Sequence, residues 1–278
     1  MRIVHITDLD HPDLEPYTTL RARTVHGHAG LCVAEGEKAV RAMIDAGIRV
    51  RSLLLSQRWA DALATEFRRD NLADAVAYVA EDDVLEDIVG YPLHKSLMAM
   101  GEVPENPSME MLRPTVRDTV QMADRSCPII VAMEGIADAE NMGMILRNCA
   151  AFGVAGVVVG SDSTSPYLRR SVRVSLGNVF RLRIHRTDRI LESIRRYRDE
   201  YGWWIVGTTP RDGIPEIMIP TEGGTARPLC LLFGSEATGL TSEALALCDA
   251  RFTIPMRNDV DSINVANAVA VALFAATR

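Results

Sequence analysis

The sequence of 278 residues has no C-x-x-C pair, no apolar run of membrane length, no G-x-G-x-x-G turn and no net positive charge. Each absence removes a class of function. The five cysteines, Cys32, Cys127, Cys149, Cys230 and Cys248, are scattered, which argues against a structural zinc site and against a disulfide framework. Cys149 and Cys230 sit in apolar surroundings and read as buried, inert thiols. A bilayer span needs about 20 apolar residues, and none is present. The opening MRIVHITDLDHPDLEP is acidic and lacks an apolar signal core, so a cytoplasmic protein without a membrane partner is expected. With no glycine fingerprint after any strand, an ordinary dinucleotide-binding fold is unsupported. His26 and His28 are spaced as a pair that could ligate a metal, but no third ligand is near. A loop pair facing substrate or solvent is the preferred reading, and no metal is expected.

Composition is that of a globular protein, 47% apolar and 24% charged, and the length suits two domains or one large one. The net charge of −7 is awkward for a nucleic-acid binder. Its distribution changes that reading. Residues 169–198 hold ten arginines and no lysine against Asp188 and Glu192, a local +8. Such a cluster is often a solvated face, but arginine also suits bidentate phosphate contact.

Along the chain, residues 1–20 read as an irregular arm, and Thr19–His26 as a short helix. Strands are expected at 31–33, 50–55, 75–79 and 94–100, with helices at 35–46, 58–69 and 82–89. This alternation predicts a small α/β domain, assigned to residues 1–105. The proline-bearing stretch 106–127 reads as a linker, partly helical at 115–124. From Pro128 the pattern is strand 129–133, helix 139–152, strand 155–159, helix 166–175, strand 179–184, helix 188–201 and strand 203–208. It predicts a parallel, doubly wound α/β domain over 128–278. Trp203 and Trp204 read as core and subunit packing.

The organising stretch is the last fifth. Leu229–Phe233 is an apolar strand that stops at Gly234, and Phe252–Ile254 is a short strand broken by Pro255. Ile263–Ala276 is apolar or small except for Asn264 and Asn267, which predicts a helix buried on all sides. Buried asparagines need partners, so these two read as groups that fix a loop or hold a ligand. In the helix at 139–152, Met142, Ile145, Leu146, Cys149 and Phe152 form the apolar face. Arg147 lies off it, and Asn141 stands at its start.

Three of these stretches, in order, resemble the motifs of the SpoU (TrmH-type) RNA 2′-O-ribose methyltransferases of the SPOUT superfamily. They are Asn141, Gly143 and Arg147; Phe233, Gly234, Glu236, Gly239 and Leu240; and Ile254, Pro255, Met256, Ser262, Ile263, Asn264 and Val265. Two positions depart from the pattern: Ile263 stands where the family usually has Leu, and Asn258 where Gly is common. The resemblance covers about 127–278, and reaches the start more loosely through the VAEGE stretch at 33–37.

The resemblance implies a parallel sheet with a deep trefoil knot and a small N-terminal RNA substrate-binding domain. It implies methyl transfer from S-adenosyl-L-methionine to a ribose 2′-hydroxyl of rRNA or tRNA, with rRNA favoured. Arg147 would be the catalytic position, supported by Asn141, Glu236, Ser262 and Asn264. Guanidinium stays protonated, so Arg147 is read as the group that grips phosphate and orients the hydroxyl. The cofactor would lie against Gly207 and Thr208, against Gly234, Ser235, Glu236 and Gly239, and against Ile254, Met256 and Ile263. Arg169, Arg170 and Arg173, at helical spacing, would contact RNA backbone. Ser262 also fits a simple N-cap.

The surplus apolar surface of the last helix predicts a homodimer through the C-terminal domain, the pairing that the resemblance also implies. Two rival readings stand beside this one. A catalytically inactive RNA-binding protein of the same fold is opposed by the intact Asn141, Arg147, Glu236 and Asn264. A small-molecule α/β enzyme is opposed by the arginine cluster.

Overall fold

The computed structural model describes residues 1–7, 12–19, 30–93, 96–112, 127–222 and 225–277. The helix expected at 19–26, His26, His28 and the helical turn expected at 115–124 lie outside the described residues. In chain order the elements are β1 (Arg2–His5), α1 (Glu15–Thr18), β2 (Leu31–Glu35), α2 (Glu37–Asp45), β3 (Val50–Leu55), α3 (Gln57–Ala62), β4 (Val76–Val79), α4 (Asp82–Val89) and β5 (Leu97–Glu102). They continue as β6 (Ile129–Met133), α5 (Ala139–Ala151), β7 (Gly156–Gly160), α6 (Arg169–Val174), β8 (Ile184–Thr187), α7 (Ile190–Tyr201) and β9 (Trp204–Thr208). The last are β10 (Thr221–Glu222), β11 (Thr225–Ala226), β12 (Leu229–Phe233), α8 (Ser242–Leu247), β13 (Ala250–Phe252) and α9 (Val265–Ala276).

The chain divides into two compact units, one of Met1–Glu105 with Pro166–Arg181 and one of Asn106–Ser165 with Leu182–Arg278. The first unit is built on a mixed sheet in the order β1-β4-β3-β5-β2. Residues 2–5, read as an irregular arm, pair in parallel with 76–79, because Val4 and Ile6 have a core to reach. The segment Pro166–Arg181, expected within the C-terminal domain, belongs to this unit. Gly177 sits so close to α2 that a Cβ would lie 2.8 Å from the Ala39 Cα. Arg169 Nη2 pairs with the buried Glu35 carboxylate at 2.7 Å, and its guanidinium lies 4.4 Å from the centre of the Tyr91 ring.

The second unit has six strands, all parallel, in the order β13-β9-β12-β6-β7-β8. Strands β6, β7 and β12 are buried along their whole length. That is why they appear in sequence as unbroken apolar runs instead of alternating ones. The strand expected at 179–184 is instead a 3-10 turn at Asn178–Arg181 followed by β8. Val179 and Phe180 are buried in the first unit, so their apolar character does not report strand pairing. Residues 106–112 pack on the second unit. Asn106 exchanges two hydrogen bonds with the Arg186 backbone, at 2.7 and 2.8 Å, along the edge strand β8, and so covers an otherwise open sheet edge.

Helix α9 begins at Val265, two residues later than expected. Its inner face buries Ala266, Val269, Ala272, Leu273 and Ala276. Full burial of side chains such as Val269 and Leu273 contributes roughly 1.5–3 kcal/mol each. The expectation of a helix buried on all sides fails: Val271 is 40% and Phe274 49% exposed. Asn264 and Asn267 are exposed as well.

Candidate active site

The loops that follow β6, β9, β12 and β13 all leave the same edge of the second sheet, because neighbouring strands run in parallel. After β6 the chain moves outward to β7, and after β12 it moves to β13, beyond β9 on the other side. The gap between the ends of β6 and β12 is therefore a topological switch point, the place where open α/β sheets bind ligands.

Three segments meet there through one line of hydrogen bonds. Asp138 caps α5 by accepting from the Glu140 and Asn141 amides at 2.7 and 2.9 Å, and this sets Asn141 in the first turn. Asn141, only 8% exposed, donates from Nδ2 to Glu236 Oε1 at 2.9 Å. Its Oδ1 accepts from Asn264 Nδ2 at 2.8 Å. Glu236 also accepts from the Ala137 amide at 3.3 Å. Asn264, not Ser262, is the N-cap of α9, with Oδ1 accepting from the Ala266 amide at 2.8 Å. Two turns further along α5, Asn148 donates to the Ala266 carbonyl at 2.9 Å. Asn141 and Asn148 are seven residues apart, so one helix face grips the start of α9 at two points.

The 234–240 turn is closed by two backbone hydrogen bonds between Ser235 and Gly239, at 2.9 and 3.1 Å. Gly239 takes φ +70°, and a Cβ on Gly234 would stand 2.2 Å from the Gly239 carbonyl carbon. These two glycines are therefore required by the turn itself. On the other side of β12, in β9, a Cβ on Gly207 would meet the Cys248 sulfur at 2.6 Å, and Thr208 donates to the Leu232 carbonyl at 3.1 Å. The departure at Asn258 is accommodated: Asn258 and Asp259 take φ 56° and 55°, left-handed values that Asn and Asp tolerate.

Among the described residues, no hydrogen bond is donated by the backbone amides of Glu236, Thr238 and Leu240 in one loop, or Ile254, Met256 and Ile263 in the other. Amides without a partner in the loops at a switch point, beside a glycine crossing with no room for side chains, can donate to a polar ligand. Arg147 is exposed and off the buried face of α5, as its spacing predicts, and it pairs with no other described residue. Burial pushes the Cys149 and Cys230 thiols up, away from reactive thiolate. No group of His, Cys, Asp and Glu that could hold a metal occurs among the described residues.

The arginine cluster is divided by the fold. Arg169 is held by Glu35 and is not free for phosphate. Arg189, Arg196 and Arg198 are paired with acidic neighbours. Arg170 and Arg173 are exposed, and among described residues Arg173 and Arg181 in the first unit and Arg195 in the second have no acidic partner. Sequence reasoning missed Glu134 and Thr241, which bracket the turn. The available signal was a carboxylate directly after the buried run of β6.

Solved structures that share this fold include methyltransferases. An AdoMet-bound rRNA methyltransferase from Sinorhizobium meliloti aligns with a TM-score of 0.79 over 99% of this chain and 97% of its own, at 22% identity. The SpoU methyltransferase AviRb from Streptomyces viridochromogenes aligns with a TM-score of 0.75 over 96% of each chain, at 23% identity. The sequence is more specific. The profile of the SpoU rRNA methylase family matches residues 128–274. An uncharacterized tRNA/rRNA methyltransferase of Mycobacterium tuberculosis is 30% identical over 98% of this chain and 91% of its own. The chain belongs to the SpoU rRNA methylase family. A 23S rRNA (guanosine-2′-O-)-methyltransferase of Shewanella oneidensis is 29% identical over 56% of this chain and 62% of its own length.

Proposed function

We propose that this chain is an S-adenosyl-L-methionine-dependent RNA methyltransferase that modifies a ribose 2′-hydroxyl, with rRNA favoured over tRNA. The observation that carries this is the Glu236–Asn141–Asn264 line, which ties the three family motifs together at the sheet's switch point. The cofactor would be held by Gly207 and Thr208, by Gly234, Ser235, Glu236 and Gly239, and by Ile254, Met256 and Ile263. It supplies an activated methyl group on a sulfonium.

The chain's own residues align the acceptor and exclude water, and such alignment can be worth roughly 7–11 kcal/mol. Asn141 holds both loops to α5, the 234–240 turn through Glu236 and the 254–263 loop through Asn264. Arg147 grips the phosphate beside the target ribose and orients its hydroxyl. Ser262 stands at the end of the last loop, where its exposed hydroxyl can meet substrate.

Residues 1–105, with 166–181, serve as the RNA-recognition unit, and Arg170 and Arg173 supply phosphate contacts. Asn267, Val271 and Phe274 make an exposed stripe at i, i+4, i+7 on α9, which supports a homodimer through this helix. The C-terminal segment passes through the knot typical of the fold. No helix among the described residues is long and apolar enough to cross a membrane, which fits a cytoplasmic enzyme acting on RNA.

The test is transfer of labelled methyl from S-adenosylmethionine to rRNA and tRNA from a strain lacking this gene, followed by alkaline mapping. Methylation of the 2′-hydroxyl blocks cleavage at the modified nucleotide. RNA that binds the protein yet gains no label would support the inactive-binder reading instead.

A further inference from the structure

Glu134 is the first residue after β6, and it is 7% exposed. Its backbone amide donates to the Phe233 carbonyl at 2.9 Å, on the entering limb of the 234–240 turn. Its carboxylate accepts twice on the leaving limb, from the Thr241 amide at 3.0 Å and from the Thr241 hydroxyl at 2.9 Å. In that second bond the hydroxyl donates and the carboxylate accepts, while Thr241 Oγ1 itself accepts from the Ala244 amide at 3.2 Å as the N-cap of α8. One residue therefore holds both limbs of a turn whose interior is a backbone crossing without side chains.

We infer that Glu134 is a positioning residue that sets the shape of the 234–240 turn and hence its affinity for the cofactor. The turn reads Gly-Ser-Glu-Ala-Thr-Gly-Leu; Leu240 at its end packs in the core and Glu236 is tied to Asn141, but its two glycines have more backbone freedom to lose than any other residue. Hydrogen bonds to a charged acceptor are stronger than neutral ones, and a buried carboxylate is costly unless its oxygens are satisfied. Glu134 meets both conditions through Thr241. Removing it frees the leaving limb and the first turn of α8 together. This inference rests on the reading of the turn as a cofactor-binding loop, and its test separates the two.

Full-length wild type, Glu134→Ala and Glu134→Gln are compared by calorimetric titration with S-adenosylmethionine and by hydrogen exchange of the amides at 235–241. Glutamine can accept from the Thr241 amide and donate to Thr241 Oγ1, so it preserves the geometry without the charge. Glu134→Ala is expected to raise the dissociation constant and KM for the cofactor by tenfold or more, with faster exchange at 235–241 and unchanged exchange in β6. Glu134→Gln is expected to restore both within about threefold and to keep kcat. Wild-type exchange and affinity in Glu134→Ala would overturn the inference, as would loss of kcat in Glu134→Gln at unchanged affinity, which would place Glu134 in the chemistry.

Should Glu134→Ala fail to fold, Thr241→Val removes the same hydroxyl bond from the other side, and Thr241→Ser keeps it. Faster exchange in the valine variant alone supports the inference, and equal exchange in both overturns it. Should the wild type bind no S-adenosylmethionine, the function proposed above falls, while the exchange comparison still decides the role of Glu134.

Discussion

Replacing Asn264 with alanine removes two hydrogen bonds that do different work. The first caps α9, Oδ1 accepting from the Ala266 amide at 2.8 Å. Loss of such a cap costs about 1 kcal/mol. The second is Nδ2 donating to Asn141 Oδ1 at 2.8 Å. Asn141 is nearly buried, so its oxygen would be left without a partner, at about 1–2 kcal/mol. Together the second unit should lose about 2–3 kcal/mol. With a urea slope of roughly 2 kcal/mol/M, its unfolding midpoint falls by about 1 M. Tryptophan fluorescence follows it, since Trp203 and Trp204 lie in this unit.

The same change releases the loop from Ile254 to Ile263, so affinity for S-adenosylmethionine should fall by about tenfold, the equivalent of roughly 1.4 kcal/mol. Asn264→Asp separates the two contributions. It keeps the cap but sets a carboxylate against an amide oxygen, so it should retain about 1 kcal/mol more stability than the alanine variant while still losing affinity. An alanine variant within about 0.5 kcal/mol of wild type, with unchanged affinity, would refute this account of how the third loop is held.

Arg147→Ala should abolish methyl transfer and leave cofactor affinity within about twofold, because Arg147 lies outside the loops proposed to hold the cofactor. Near-normal turnover in a filter assay with labelled cofactor would remove it from the mechanism. Arg169→Gln should lower the stability of the first unit by roughly 2–4 kcal/mol, since it strands the buried Glu35 carboxylate; thermal unfolding checks this, and no change would mean that Glu35 finds another partner. Arg173→Gln with Arg181→Gln should leave folding intact and flatten the log–log salt dependence of RNA binding by about 0.7 for each arginine that touches phosphate. An unchanged slope moves the RNA surface elsewhere. Phe274→Asp should convert a dimer to a monomer by light scattering, and a dimer that persists would place the interface away from α9.

The sequence by itself determined the second unit's strand plan and the positions of the motifs. Strands buried on both faces are continuous apolar runs, so 129–133 and 229–233 were legible with their boundaries. Arg147 off the apolar face of α5 follows from helical spacing alone, and the turn after β12 from the apolar run that stops at Gly234. What spacing could not carry is which polar groups meet. Asn264 and Asn141 are 123 residues apart and Glu134 and Thr241 are 107 apart, and only the parallel stacking of β6, β12 and β9 brings them to one edge.

The same holds for the arginine cluster. Ten arginines in thirty residues look like one basic face, yet the fold assigns them to two units and pairs Arg169 and Arg196 with carboxylates from distant segments. Charge along a chain is additive, whereas charge on a surface depends on which acids the fold places beside it. The last helix shows the same limit for apolar residues. Its composition says that most of it avoids water, but α5 and β12 cover only one side, so Val271 and Phe274 are left facing outward. Local pattern is written in neighbouring residues, while pairing, burial and partner choice are decided by tertiary contacts that no local window contains.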